Sequence, residues 1–174
     1  MSKSFSLVSL AAALVAIPTL LAGQGRPIEL GVDAGFDYRV KSPHVTTIGV
    51  PLQDLRVGIG ITDQISFEPR VSLNYFKVEG SSASWMVNLG AGLLYHFSEM
   101  RRGLYVRPFV SWDHIDAGGS SASQFAAGGG LGIKTGTGRV VGRFEAGYSH
   151  AFKNNNFAAS DDILLLLGFS FFTK

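Results

Sequence analysis

The chain has 174 residues, with 22 glycines, no cysteine and a formal net charge of +2. The lack of cysteine excludes disulfides, thiolate metal sites and a lipid-anchored N-terminal cysteine. The small charge, with no basic run longer than Arg101-Arg102, does not favour nucleic-acid binding. Charged residues make up only 16% of the chain, against about 25% in an average soluble protein, and mean hydropathy is +0.22.

The first 25 residues have the three-part layout of a secretory signal peptide. Lys3 and the terminal amine form a positive start, an apolar stretch runs from Phe5 to Leu21, and small residues follow. We predict a signal peptide over residues 1–25 and a barrel domain over residues 26–174. A retained N-terminal anchor helix is the alternative, which Pro18 and the modest apolar length argue against.

From Ile28 onward, apolar residues alternate with polar or small ones. Leu30 and Val32 continue the apolar phase, while Glu29 and Gly31 lie between them. This period of two predicts a β-strand. Eight such segments follow one another, joined alternately by tight turns and by somewhat longer loops. Their apolar phases cover residues 28–38, 55–61, 65–75, 85–97, 104–112, 125–133, 140–152 and 163–171.

The second segment is ambiguous at its start. Ile48 and Val50 lie in the opposite phase to the residues that follow, and Pro51 would interrupt a ladder of hydrogen bonds. Either a bulge lies near residues 51–54, or residues 41–53 form a long first loop with its own hairpin.

The eight segments predict an all-β fold, an antiparallel up-and-down barrel that closes and so has no sheet edges. A soluble, lipocalin-type barrel has the same period with its apolar face inside. Lipid outside is favoured because the polar faces hold mainly Gly, Ser and Asn, where a water-facing surface would be rich in Lys and Glu. Aromatic residues near the strand ends predict an interfacial girdle. The girdle residues are Tyr38, Tyr75, Trp85, Tyr95, Trp112 and Tyr148.

Opposite charges fall at mid-strand on the polar faces. An arginine facing lipid at mid-depth costs about 2–4 kcal/mol, and an unpaired charge inside the barrel costs several kcal/mol. We therefore expect acids and bases to pair in the interior, with glycines of the same phase leaving room for them. The predicted interior charge cluster is Glu68, Arg70, Arg107, Arg143 and Glu145, with Glu29, Asp33 and Arg56 nearby.

With its signal peptide, eight alternating segments and aromatic closing strand Ile163–Phe172, the chain resembles the small outer-membrane barrels of the OmpA/OmpX type over residues 26–174. The chain departs from the usual ending, because Thr173 and Lys174 follow the aromatic residues. The resemblance implies a porin-like barrel domain in the bacterial outer membrane and both termini in the periplasm. It implies a monomer in contact with outer-membrane lipid and lipopolysaccharide, whose closing strand is read by the outer-membrane assembly machinery. It also implies outward loops near residues 40–53, 79–84, 116–124 and 153–161.

Candidate catalytic groups are few, and we predict no catalytic, cofactor or metal site. Some outer-membrane barrels modify lipid A with Ser, His and acid side chains, and His150 with Ser149 could be placed in those roles. His114 with Asp113 or Asp116 is a second such pairing. In the lipid A deacylases a serine lies two residues after the histidine, whereas here that position is Phe152. We interpret both histidines as polar members of the aromatic belt.

Two further motifs are weak. The glycine-rich segment 128–135 superficially resembles a phosphate loop, but Ile133 occupies the position of the glycine before the lysine, and the segment alternates as a strand. Four acids could bind divalent cations without any dedicated spacing. These acids are Asp113, Asp116, Asp161 and Asp162.

Our preferred hypothesis is a non-enzymatic barrel with a plugged, charged interior that supports envelope integrity or makes surface contacts. Eight strands leave an interior only wide enough for side chains, which argues against an open pore. A small-solute or ion channel is the first alternative. A lipid A-modifying enzyme and a soluble periplasmic lipid-binding barrel are the others.

Overall fold

The structure is a computed structural model that describes residues 27–40, 44, 46–76, 84–117 and 120–173. The predicted signal peptide lies outside these residues. Within the strands, the side chains of residues 47–53, 74–76, 84 and 117 are also outside the described part. Eight strands make up the fold: β1 (Ile28–Arg39), β2 (Thr46–Gly60), β3 (Ile65–Phe76), β4 (Ser84–His96), β5 (Gly103–Ala117), β6 (Ser120–Thr135), β7 (Val140–Ala151) and β8 (Ser160–Phe172).

Each strand pairs antiparallel with the next, and β8 pairs with β1 to close the barrel. The prediction of an eight-stranded up-and-down barrel is confirmed. Short connections at residues 61–64, 97–102 and 136–139 lie at one end, which we call the turn end. The opposite end, where β1 leads to β2, is the loop end. No helix in the described part of the chain is long and apolar enough to cross a membrane.

The apolar phase of the strands faces outward. Leu167 and Phe125 are each 64% exposed, whereas Glu29 and Arg107 are fully buried inside the barrel. Large apolar side chains are exposed around the wall, from Leu30 on β1 to Phe171 on β8. A surface of this kind is stable against hydrocarbon and not against water. The prediction that lipid lies outside is therefore confirmed.

The ambiguous second segment is a strand with a bulge. Asp33 of β1 lies opposite Asp54, but Gly35 lies opposite Gly49. The four residues 50–53 of β2 therefore correspond to the single residue Ala34 of β1. The alternative of a long first loop is wrong, because β2 already begins at Thr46. The extra residues absorb Pro51, which cannot donate a ladder hydrogen bond.

The resemblance implies loops near residues 40–53 and 116–124, and the predicted extent of both loops is wrong. β5 continues to Ala117 and β6 begins at Ser120, and these two residues pair directly. The Gly- and Ser-rich composition suggests a loop, yet backbone hydrogen bonds between strands need no apolar side chains once a hairpin has its register. This hairpin is the longest pair of strands in the barrel.

The turn between β4 and β5 folds under the barrel. Gly103 follows this turn with a φ of 95°, a left-handed conformation that favours glycine. Met100 is thereby buried beside Val141 and the inward-facing Phe172. These three apolar side chains cover the turn end of the interior.

Candidate functional site

The interior contains a network of eight buried ionisable side chains, none more than 2% exposed. Four are acids and four are bases, so the network is neutral overall. We call it the charged network; its members are Glu29, Asp33, Arg56, Glu68, Arg107, Lys134, Arg143 and Glu145. They share the polar phase of six strands, and strand alternation alone turns all of them inward.

The centre of the network is an alternation of two carboxylates and two guanidinium groups. Arg143 donates from Nη1 to Oε2 of Glu68 at 2.5 Å and from Nη2 to Oε2 of Glu145 at 2.7 Å. Arg107 donates to Oε1 of Glu145 from Nη2 at 2.5 Å and from Nε at 3.0 Å. Each carboxylate thus meets guanidinium donors in the charge-assisted geometry that binds most strongly.

Arg56 connects this centre to β1. Its Nε donates to Asp33 at 2.8 Å, and its Nη1 lies 2.5 Å from Glu29 and 3.5 Å from Glu68. Lys134, nearer the turn end, donates to Glu29 at 2.5 Å. These contacts join residues that are up to 105 positions apart in sequence. The network therefore fastens β1, β2, β3, β5, β6 and β7 across the lumen.

Tyr105 connects Arg143 with Glu145. Its hydroxyl accepts from Arg143 Nε at 2.6 Å and donates to Glu145 Oε2 at 2.8 Å. Glycines on β6 make room for these groups. A Cβ added at Gly130 would overlap the Glu145 carboxylate, and one at Gly132 would overlap the Tyr105 ring.

The structure brings four of the five residues of the predicted charge cluster together. The fifth, Arg70, lies on the loop side of the network and pairs with Asp54, where both side chains are partly exposed. Lys134 and Tyr105 also take part in the contacts of the charged network, and neither belongs to the predicted cluster. The alternation of the strands could have indicated both residues, because Lys134 shares the interior face of Gly132 and Tyr105 shares the interior face of Arg107.

The predicted girdle residues lie at the two ends of the outer wall. Tyr38, Trp85 and Tyr148 are 36%, 42% and 48% exposed near the loop end, and Tyr95 is 42% exposed near the turn end. Trp112 is half-buried near the loop end and stacks on His114. The predicted Tyr75 lies in β3, and its side chain is outside the described part.

Two of the candidate catalytic pairings, Ser149 with His150 and Asp113 with His114, are not formed. The third, His114 with Asp116, joins two residues on the same face of β5. Ser149 is buried inside the barrel, whereas its neighbour His150 lies on the outer wall and pairs with Asp161 at 2.7 Å. Asp113 likewise faces the interior and accepts from Asn88 at 2.5 Å. Strand alternation places adjacent residues on opposite faces, so neither histidine can reach the neighbouring side chain.

The other candidate groups are also placed. His114 contacts the hydroxyl of Ser123 at 2.8 Å on the outer wall. Residues 128–135 of the glycine-rich segment lie within β6, and the phosphate-loop interpretation does not fit a strand. Among the described residues, no group of three or more His, Asp or Glu side chains has the arrangement of a metal site.

Comparison with known proteins was made at three levels. No protein-family profile and no curated protein matches the sequence. Among solved structures, the chain is similar to Neisserial surface protein A, with 19% identity, a TM-score of 0.62 and coverage of 83% of this chain and 96% of that one. It is also similar to the N-terminal β-barrel domain of Pseudomonas aeruginosa OprF, with 14% identity, a TM-score of 0.51 and coverage of 82% and 97%. The attachment invasion locus protein Ail of Yersinia pestis has 13% identity, a TM-score of 0.50 and coverage of 84% and 98%.

These similarities establish the fold, which is that of the small eight-stranded outer-membrane β-barrels. The apolar wall and the buried charges agree with that fold. The chain is an integral β-barrel of the bacterial outer membrane.

Proposed function

We propose that the protein is a non-enzymatic outer-membrane barrel with a closed interior, which acts through its outer surfaces. The observation that carries this proposal is the charged network. Its neutral set of four acids and four bases occupies the lumen from its middle to the turn end, and each residue is at most 2% exposed. A solute that crossed this level would have to separate buried ion pairs, and leaving one such charge unpaired costs about 3–5 kcal/mol.

The turn end supports the same proposal. Met100, Val141 and Phe172 cover the lumen below the charged network. Lys134 also donates to the carbonyl oxygen of Met100 at 3.3 Å, which ties the covering turn to the network. An aqueous path would need both levels to open.

With a closed lumen, the loop end and the lipid-facing wall are the surfaces left for a function. Neisserial surface protein A and the attachment invasion locus protein share this architecture. For this chain we propose a role either in surface contact, which the name of the attachment invasion locus protein indicates for that protein, or in envelope integrity. The proposed partners are outer-membrane lipid and lipopolysaccharide, together with the assembly machinery that reads β8. The proposed oligomeric state is a monomer.

Single-channel recording in planar bilayers tests the closed interior. The wild-type protein is expected to give no steady conductance, whereas Glu68→Ala and Arg143→Ala are expected to give intermittent openings because each unbalances the network. Arg102→Ala is a matched control, since its pair with Glu99 is exposed. Steady wild-type conductance would favour the channel alternative instead.

Mass spectrometry of lipid A, from cells with and without the protein, tests the non-enzymatic part. We expect identical acyl patterns in the two samples. An acyl change that depends on the protein and is lost in His150→Ala would establish a lipid-modifying enzyme and overturn this part of the proposal.

A further inference from the structure

An apolar groove runs along the outer wall where β7, β8 and β1 lie side by side. It has a volume of about 210 Å³ and is lined by residues that include Ala34, Phe36, Phe144, Leu165 and Leu167. Leu167 lies opposite Ala34 on one side and Phe144 on the other. The small alanine between bulkier neighbours leaves a depression in a wall that is otherwise built of large side chains.

Two imidazole rings lie above this groove, towards the loop end. His150 contacts Asp161 through Nδ1 at 2.7 Å, and Tyr148 donates its hydroxyl to the same carboxylate. On the β1 side, His44 contacts the Tyr38 hydroxyl through Nδ1 at 3.4 Å and stacks on the Tyr38 ring. Tyr38 and Tyr148 both lie opposite Ile163, on either side of β8, so they are about 10 Å apart across two strand spacings.

In this cluster of polar side chains, the histidines are more exposed than the aspartate. The His150 side chain is 37% exposed, whereas that of its partner Asp161 is 11% exposed. His44 is also exposed. Both rings make these contacts through Nδ1, which leaves Nε2 for a molecule in the membrane interface. A His150 ring with a proton on each nitrogen would donate from Nδ1 to Asp161 and from Nε2 to an anion.

We propose that the groove and the two imidazoles form a binding site for one outer-leaflet lipid with a phosphate-bearing headgroup. The acyl chain lies in the groove, and the phosphate accepts a hydrogen bond from Nε2 of His150, with His44 on the β1 side of the headgroup. Leu165 lies four residues from Asp161 along β8, which is about 13 Å at the rise of a strand. The groove and the imidazoles are therefore spaced as the acyl chain and headgroup of a single lipid are. This site depends on the membrane location and is independent of whether the lumen conducts.

Native mass spectrometry of the full-length protein, purified from membranes in detergent, tests the site. The probes are phosphatidylglycerol and a diacylglycerol with the same acyl chains and no phosphate. We expect one phosphatidylglycerol to bind the wild type about tenfold more tightly than the diacylglycerol, which is the affinity of one charge-assisted hydrogen bond.

Two variants separate the parts of the site. Ala34→Phe fills the groove and is expected to weaken binding of both lipids, whereas His150→Ala is expected to weaken phosphatidylglycerol alone, by about tenfold. Their controls lie elsewhere on the outer wall: Ala91→Phe on β4 and His114→Ala on β5. Heat-modifiable migration in gels verifies that each variant is folded.

Two results would overturn the proposal. One is equal wild-type affinity for the two lipids, because the headgroup would then make no contact. The other is a loss of affinity in the control variants as large as that in Ala34→Phe and His150→Ala, because binding would then be spread over the whole wall.

Discussion

Replacing Glu68 by glutamine removes one charge from the centre of the network and changes the side-chain shape very little. Glu68 accepts from Arg143 at 2.5 and 3.1 Å, and it lies 3.5 Å from Arg56 and 4.0 Å from Arg107. Glutamine keeps one acceptor oxygen but turns an NH2 group towards guanidinium donors. The network is left with three acids and four bases, a buried net charge of +1.

Removal of one partner from a buried ion pair costs about 3–5 kcal/mol, because the remaining charge is desolvated without compensation. Glu68→Gln is therefore expected to lower the free energy of unfolding by about this amount. Arg102→Gln is the matched control. Arg102 and its partner Glu99 have side chains 63% and 66% exposed, and exposed pairs contribute about 0–1 kcal/mol.

The assay is urea unfolding in phospholipid vesicles, followed by the fluorescence of the two tryptophans and by heat-modifiable migration. The double variant Glu68→Gln/Arg143→Gln restores neutrality, with three acids and three bases. It is expected to be less destabilised than the sum of its two single variants, by more than the roughly 0.5 kcal/mol within which independent sites add. If Glu68→Gln unfolds at the same urea concentration as Arg102→Gln, the carboxylate is hydrated and the account of a buried network is wrong.

Two further variants test the interior and the exterior of the barrel. Gly130→Ala places a Cβ against the Glu145 carboxylate and is expected to destabilise the barrel by about 1–3 kcal/mol in the same urea assay, whereas Gly138→Ala, with nothing within 4 Å, is expected to have little effect. An unchanged midpoint for Gly130→Ala would mean that the network has space to shift. Leu167→Arg, on the lipid-facing wall at mid-strand, is expected to cost about 2–4 kcal/mol, and Val140→Arg, at the first position of β7, about 0–1 kcal/mol. Equal costs at the two positions would mean that Leu167 lies no deeper in the membrane than Val140.

Much of the fold could be predicted from the period of two in the sequence. Alternation decides the face of every residue in a strand, so Leu167 on the outside and Glu68 on the inside both follow from phase. The even number of segments predicts closure. The same rule places Ser149 and His150 on opposite faces, so the candidate catalytic pairing of these two residues is already excluded by alternation.

The first and last residues of individual strands could not be predicted as well from the sequence. β5 and β6 extend to Ala117 and Ser120 through a Ser/Gly-rich stretch whose composition is typical of a loop. The bulge in β2 was one of two possibilities left by Pro51, and only the pairing of Gly35 with Gly49 decides between them. In both places backbone hydrogen bonding to a neighbouring strand, and not side-chain pattern, sets the boundary.

The sequence alone determined the barrel, its lipid-facing wall and the presence of opposite charges inside it, because each of these depends on local alternation. Only the tertiary structure decided which charges meet. Arg70 and Arg107 share the interior phase, yet Arg107 bonds to Glu145 and Arg70 to Asp54. Lys134 and Glu29 meet across 105 residues on strands that are not neighbours. Such contacts depend on the tilt and register of all eight strands around the closed barrel, which no single segment encodes.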